Sequence, residues 1–114
     1  MTLAGPAVAI GNFDGVHRGH QAILRAARAA SENGQVIAVT FWPHPLSVVR
    51  PDACPELLTE LPDRIELLEQ AGADQVRVVN FTPQLAAWTP EQFVAAVLTP
   101  LQPSTVVVGE NFHF

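Results

Sequence analysis

Gly11-Asn12-Phe13-Asp14-Gly15-Val16-His17-Arg18-Gly19-His20 joins a short β-branched run, Val8 to Ile10, to a stretch with helical periodicity. Gly11 and Gly15 let the backbone turn tightly and come close to a ligand. A helix starting near Gly19 directs N–H groups and its positive dipole end into that turn, an arrangement that suits an anion. His17 and His20 are three residues apart at the helix entry, so both imidazoles can project to one side, and Gly19 between them leaves room for a phosphate. For an isolated histidine pair, a tight strand-to-helix turn with two incidental surface side chains is an equal competitor. The whole ten-residue string favours a site. Zinc is the rival chemistry, but no third ligand stands at a suitable spacing. Gly-x-Gly-x-x-Gly is absent from this first turn, which argues against a dinucleotide fingerprint.

Working outward, three further β-branched runs follow: Val36 to Phe41, Val76 to Asn80 and Thr105 to Val108. Of the four runs, three lie in apolar surroundings without strict alternation, as strands buried on both faces do. Between the first two, Ile23, Ala27 and Ala30 fall on one helical face and Arg18, Arg25 and Arg28 on the other, with Asn33-Gly34 as the stop. A second helix starts near Thr59, carries Leu61, Ile65 and Leu68, and ends at Gly72. A third has Thr89 and Gln92 at capping-box spacing and Pro90 at its first position. Phe93, Val94 and Val97 form its expected buried stripe, and Pro100 its expected end. Strand alternating with helix predicts an α/β fold, a Rossmann-like parallel sheet with helices on both faces. The segment Pro43 to Pro62 holds five of the ten prolines and predicts an ordered loop or flap above the strand ends, where ligands of open α/β sheets bind.

Composition narrows the class. The 114 residues suit one domain or a piece of one. At 48% hydrophobic and 15% charged, the chain has the make-up of a globular interior layer. A formal charge of −5 with six Lys and Arg disfavours nucleic acid as a partner. The single cysteine, Cys54, makes neither an internal disulfide nor a thiolate metal site. No apolar run approaches the roughly 18 residues of a membrane span, and Met1 to Ala9 lacks the basic start of an export signal. A cytoplasmic protein without membrane partners is expected.

The string Gly11 to His20 resembles the signature of the nucleotidyltransferase superfamily marked by His-x-Gly-His. In its long form it is similar to the adenylyltransferase module of bacterial bifunctional riboflavin kinase/FMN adenylyltransferases, the FAD synthetases. Further blocks agree in order: Thr40-Phe41-Trp42-Pro43-His44-Pro45, Asp63-Arg64 with Leu67-Leu68, Phe81-Thr82, Phe93-Val94, and Val108-Gly109-Glu110-Asn111-Phe112-His113-Phe114. The resemblance implies an adenylyltransferase that makes FAD and pyrophosphate from ATP and FMN, with Mg²⁺ accompanying ATP. It implies His17 and His20 as catalytic residues. With Asn12 they contact the ATP phosphates, and Gly11, Phe13, Asp14, Gly15 and Gly19 complete that loop. The same resemblance implies that Pro43, His44 and Pro45 belong to the flavin-side flap, and Asn111, Phe112 and Phe114 to the FMN pocket. Taken singly, Pro-His-Pro is also a rigid loop and the phenylalanines ordinary core.

Two departures stand out. Trp42 occupies a position where many relatives of this kind carry an acidic residue. The family pattern also continues past Phe114, with a further strand and a Ser/Thr-rich signature ending in Arg, so residues 1–114 are expected to be a partial module without the riboflavin kinase domain. The isolated chain is expected to turn over poorly and to aggregate through an exposed sheet edge. The alternatives are a flavin- or nucleotide-binding fragment without catalysis, or a related transferase acting on a pantetheine or polyol phosphate.

Overall fold

The structure, a computed structural model, describes residues 5–16, 18–43 and 61–108. Four strands form one parallel sheet: β1 (Ala7–Ile10), β2 (Val36–Trp42), β3 (Gln75–Asn80) and β4 (Thr105–Val108), in the order β3-β2-β1-β4. The central pair, β1 and β2, is buried almost throughout. β3 and β4 lie at the sheet edges among the described residues: no residue of β3 is fully buried, and β4 alternates half-buried and exposed positions. The expected two-faced burial therefore holds for the inner strands, while β-branched Val78, Val106 and Val108 on the outer ones stay exposed.

Helices cover both faces, in agreement with the expected α/β class. On one side Ala7 and Ala9 of β1, with Val36 and Ala38 of β2, pack beneath Leu24 and Ala27 of α1 (Arg18–Ala30) and Leu68 of α2 (Leu61–Gln70). Alternate residues of the same strands, Val8, Ile10, Ile37, Val39 and Phe41, face Leu85 of α3 (Pro83–Ala86) and Phe93 of α4 (Pro90–Phe93). None of the helices among the described residues is long and apolar enough to cross a membrane.

The buried stripes differ from expectation for reasons of helical geometry. On α1, Leu24 and Ala27 are buried, Ile23 is half-buried and Ala30 is exposed. Each step of three residues falls about 60° short of a full turn, so the line drifts off the sheet by Ala30. On α2 the buried pair is Arg64 and Leu68, with Leu61 and Ile65 only half-buried. Its expected start near Thr59 lies outside the described residues, and its stop at Gly72 has φ +119° with Ala73 N–H donating to Leu68 O at 3.0 Å.

The capping box at Thr89 forms as expected: Gln92 N–H donates to Thr89 Oγ1 at 3.2 Å, and Thr89 N–H to Gln92 Oε1 at 2.8 Å. Beyond Phe93 the helix widens into one π turn, Val94–Leu98, and tightens into a 3₁₀ turn, Thr99–Leu101. Pro100 has no N–H, and its ring crowds the carbonyl four residues back, so the α register is not carried into it. The π turn aligns residues five apart, which buries Phe93 and Leu98 and leaves Val94 exposed. The short helix α3, capped by Thr82 Oγ1 accepting from Leu85 N–H at 3.1 Å, was not anticipated.

At the amino ends of β2 and β3, Asp74 accepts from Val36 N–H at 2.8 Å and from Arg28 Nη2 at 3.0 Å. Arg28 also donates to the carbonyls of Gly34 and Gly72 at 2.7 and 2.6 Å. The Val36 N–H, helped by Arg28, holds the Asp74 carboxyl below the usual carboxylate range. A depressed folded-state pKa contributes stability above the unfolded value and loses it as pH falls through the folded one. Asp74→Ala is therefore expected to cost about 1 kcal/mol near neutral pH, mostly from the orphaned Val36 N–H, since an exposed ion pair adds little. Denaturant titrations should show that difference shrinking below about pH 4.

Candidate functional site

The site is built where β1 gives way to α1. Gly11 N–H makes the last rung of the β1–β2 ladder, to Val39 O at 3.1 Å. A Cβ at Gly11 would meet the Phe13 ring at 3.3 Å, so glycine lets that ring pass beneath the chain. Phe13 takes φ +54° and is fully buried. Asp14 and Gly15 then form a turn closed by Val16 N–H donating to Phe13 O at 3.2 Å. Gly15 has φ +78°, as the third position of a type II turn requires. Val16 follows at φ +44° with its side chain in the core. Two non-glycine residues at positive φ, one of them β-branched, mark a backbone held against its preference, as occurs at functional turns.

The helix that leaves this turn starts at Arg18, one residue before the expected Gly19. Gly19 is exposed and His20 half-buried. The His20 ring meets Phe13 edge to face, with centroids 5.2 Å apart and planes at 76°. Phe13 was expected among the ATP-binding residues. Its ring is in the core, so what it can offer a ligand is backbone, while its side chain fixes the His20 imidazole.

The end of β2 holds the turn from one side. Thr40, itself fully buried, donates through Oγ1 to Asn12 O at 2.8 Å. The Asn12 Oδ1 is buried and has no hydrogen-bond partner among the described residues. Below Thr40 lies Arg64 of α2, its side chain without solvent exposure. Nη1 donates to Thr40 Oγ1 at 3.3 Å and to Phe41 O at 3.1 Å, and Nη2 lies 3.8 Å from Asp14 Oδ1. The guanidinium carbon sits 5.5 Å from the centre of the Trp42 ring. Burial lowers the Arg64 pKa, and the Asp14 carboxylate acts in the opposite sense.

The fold thus brings Gly11, Asn12, Phe13, Asp14, Gly15, Gly19 and His20 into one turn and the first turn of α1. Pro43 follows Trp42 at the end of β2, through a cis peptide. His17, His44, Pro45, Asn111, Phe112 and Phe114 lie outside the described residues. The sequence shows Arg64 and Thr40 only as parts of the blocks quoted above, with no role. The signal for Arg64 was its spacing: four residues before Leu68 on a helix of i, i+4 periodicity, it falls on the buried line.

A parallel sheet whose first turn presents an imidazole and a helix N-terminus at the carboxyl ends of the central strands belongs to the Rossmann-like α/β class. The chain is a member of the FAD synthetase family, whose model matches residues 2–114. It is 36% identical over 113 residues to a bifunctional riboflavin kinase/FMN adenylyltransferase of Escherichia coli K12, covering 96% of this chain and 36% of that protein. A protein of the same description from Bacillus subtilis is 39% identical over 110 residues, covering 94% and 35%. A FAD synthetase of Listeria monocytogenes is 38% identical over 107 residues, covering 92% and 44%. The chain thus spans less than half the length of these relatives. Among solved structures, one described as a macrolide-efflux protein from Streptococcus pneumoniae superposes with a TM-score of 0.84 at 24% identity, covering all of this chain and 45% of that one. That likeness concerns the fold.

Proposed function

We propose that this chain is the part of an FMN adenylyltransferase that grips the ATP phosphates, and that the natural protein containing it makes FAD and pyrophosphate from ATP and FMN. An FMN phosphate oxygen attacks the α-phosphorus of ATP in line. The bond from that phosphorus to the bridging oxygen breaks, and pyrophosphate departs with the electron pair. No side chain needs to act as nucleophile, so the protein's task is positioning and charge stabilisation. The observation that carries this reading is the strained turn 11–16, which delivers a helix N-terminus and a ring-braced His20 to one place.

His20, with His17 three residues before it in sequence, donates to the phosphate oxygens on which charge grows. Asn12 offers a buried amide oxygen without a partner among the described residues, and Asp14 a partly exposed carboxylate. These are hard oxygen donors of the kind Mg²⁺ accepts when it arrives mainly coordinated by phosphates, so the two residues would hold the ion of the Mg–ATP substrate. When bound, that ion neutralises phosphate charge. Pro43 with His44 and Pro45, and Asn111 with Phe112 and Phe114, form the flavin side in this reading. Its substrates put the protein in the cytoplasm. The proposal covers adenylyl transfer alone and leaves the kinase step of the bifunctional relatives to other residues.

The test is chromatographic detection of FAD and pyrophosphate when the longest natural protein containing this chain is given Mg–ATP and FMN. Equimolar formation of both is expected. No FAD from FMN, with ready turnover of a pantetheine or polyol phosphate, would replace the substrate. Binding without turnover of any of them would leave a non-catalytic module.

A further inference from the structure

We propose that Arg64 is a positioning residue for adenylyl transfer, holding the turn 11–16 and the Asp14 carboxylate in register with the end of β2. The inference rests on the reading of the site given above, and it names a residue on α2 that the motif Gly11 to His20 does not contain.

The geometry is that of a fork under the turn. One nitrogen, Nη1, is divided between Thr40 Oγ1 at 3.3 Å and Phe41 O at 3.1 Å. Thr40 passes the restraint on, because its hydroxyl proton goes to Asn12 O at 2.8 Å. The second nitrogen, Nη2, faces Asp14 Oδ1 at 3.8 Å. Trp42 lies against the guanidinium, its ring centre 5.5 Å away. A single side chain therefore restrains Asn12 through its backbone, Asp14 through its charge, and the last residues of β2 directly.

As a packing element, this arrangement is costly. Arg64 has no exposed side-chain surface, and its Nε and Nη2 have no hydrogen-bond partner among the described residues. An apolar side chain of similar length on the same helical line would fill the space without desolvating a cation, and replacing a whole buried ion pair by apolar groups is often neutral or stabilising. The neighbours on that line, Leu61, Ile65, Leu67 and Leu68, are apolar. What only a guanidinium supplies is a planar set of donors with fixed separation, and that set reaches the turn proposed to hold the phosphates. Lysine, with one compact ammonium, can serve Thr40 and Phe41 or Asp14, but not all three.

The decisive variants are Arg64→Met and Arg64→Lys in the longest natural protein containing this chain, with Thr40→Val as a second probe that cuts the relay to Asn12 while keeping the side-chain shape. Arg64→Met removes one partner and leaves Phe41 O and the Asp14 carboxylate without it, so its melting temperature is expected to fall, and its kinetics are compared at a temperature where the variant is still folded. Its kcat should fall about 10²-fold, the scale of a misplacement near 1 Å, with KM for FMN changed by no more than about twofold. Arg64→Lys should recover only part of kcat, and Thr40→Val should lower kcat in the same sense, with a modest drop in melting temperature from the unpaired Asn12 O. Combined with Arg64→Met, Thr40→Val should add little, since both cut one chain of contacts. Wild-type kcat in Arg64→Met, or strict additivity of the two, overturns the proposal.

Amide hydrogen exchange supplies a readout independent of FAD synthesis. In Arg64→Met, or in Thr40→Val if the methionine variant does not fold, amides 12–16 should exchange about tenfold faster while the β1–β2 ladder stays protected. Unchanged exchange at 12–16 sinks the positioning role even if FMN proves not to be the substrate. Faster exchange there in a protein that makes no FAD retains the restraint on the turn and overturns its place in adenylyl transfer, together with the reading of the site.

Discussion

His20→Ala is expected to lower FAD formation by about 10²-fold to 10³-fold, the range seen when one preorganised donor to a developing oxyanion is removed. The same change should leave FMN affinity within about twofold, because the imidazole is proposed to act on the phosphates that leave as pyrophosphate and not on the isoalloxazine. His20 is suited to the role by restraint as well as by chemistry. Its ring is half-buried, and Phe13 holds it edge-on at 5.2 Å, so little rotamer freedom remains to be lost in the transition state. Changing His17 as well should add less than the product of the single effects, since two donors serving one charge act as a unit. Steady-state kcat measured beside FMN fluorescence quenching separates the outcomes. Unaltered turnover in the double variant would remove the histidines from the mechanism, and a parallel loss of FMN affinity would move them to the flavin side.

The order of the fold was legible because each signal was local. The β-branched runs at Val36 and Thr105, the glycine stop at Gly72 and the capping box at Thr89 each depend on residues a few positions apart, and each element stands where those residues put it. The site turn was legible for the same reason: glycines and histidines crowd into ten residues of one strand-to-helix junction. Arg64 was not, because its meaning lies in what stands around it. Its spacing from Leu68 puts it on the buried line, but which groups it meets there is set by β2 and the turn placed over it. Val94 fell outside the stripe because one π turn, imposed near Pro100, shifts the spacing of the buried residues from four to five. The flanking flap residues His44 and Pro45 and the Asn111 block lie outside the described residues, so their roles rest on family resemblance.

Phe13 supplies the second large effect, and here the usual order of glycine and alanine should reverse. The side chain is fully buried beneath Gly11 and against His20, so truncation to alanine is expected to cost about 3–5 kcal/mol. That is a large fraction of the roughly 5–15 kcal/mol that holds a typical domain together. The backbone at Phe13 has φ +54°, a region in which Cβ crowds the following carbonyl at a cost of about 1–2 kcal/mol. Alanine keeps that strain and loses the ring, whereas glycine loses the ring and is relieved of the strain. Phe13→Gly should therefore unfold at higher denaturant than Phe13→Ala, although glycine inside regular structure is normally the weaker residue by roughly 0.5–1 kcal/mol. Both variants free His20 from its edge contact, so both should lose turnover beyond what partial unfolding explains, in assays run where each is still folded. A glycine variant less stable than the alanine one would mean that the turn is not strained at this residue. The ring would then be kept for packing alone, and the link between core and imidazole would have to be sought elsewhere.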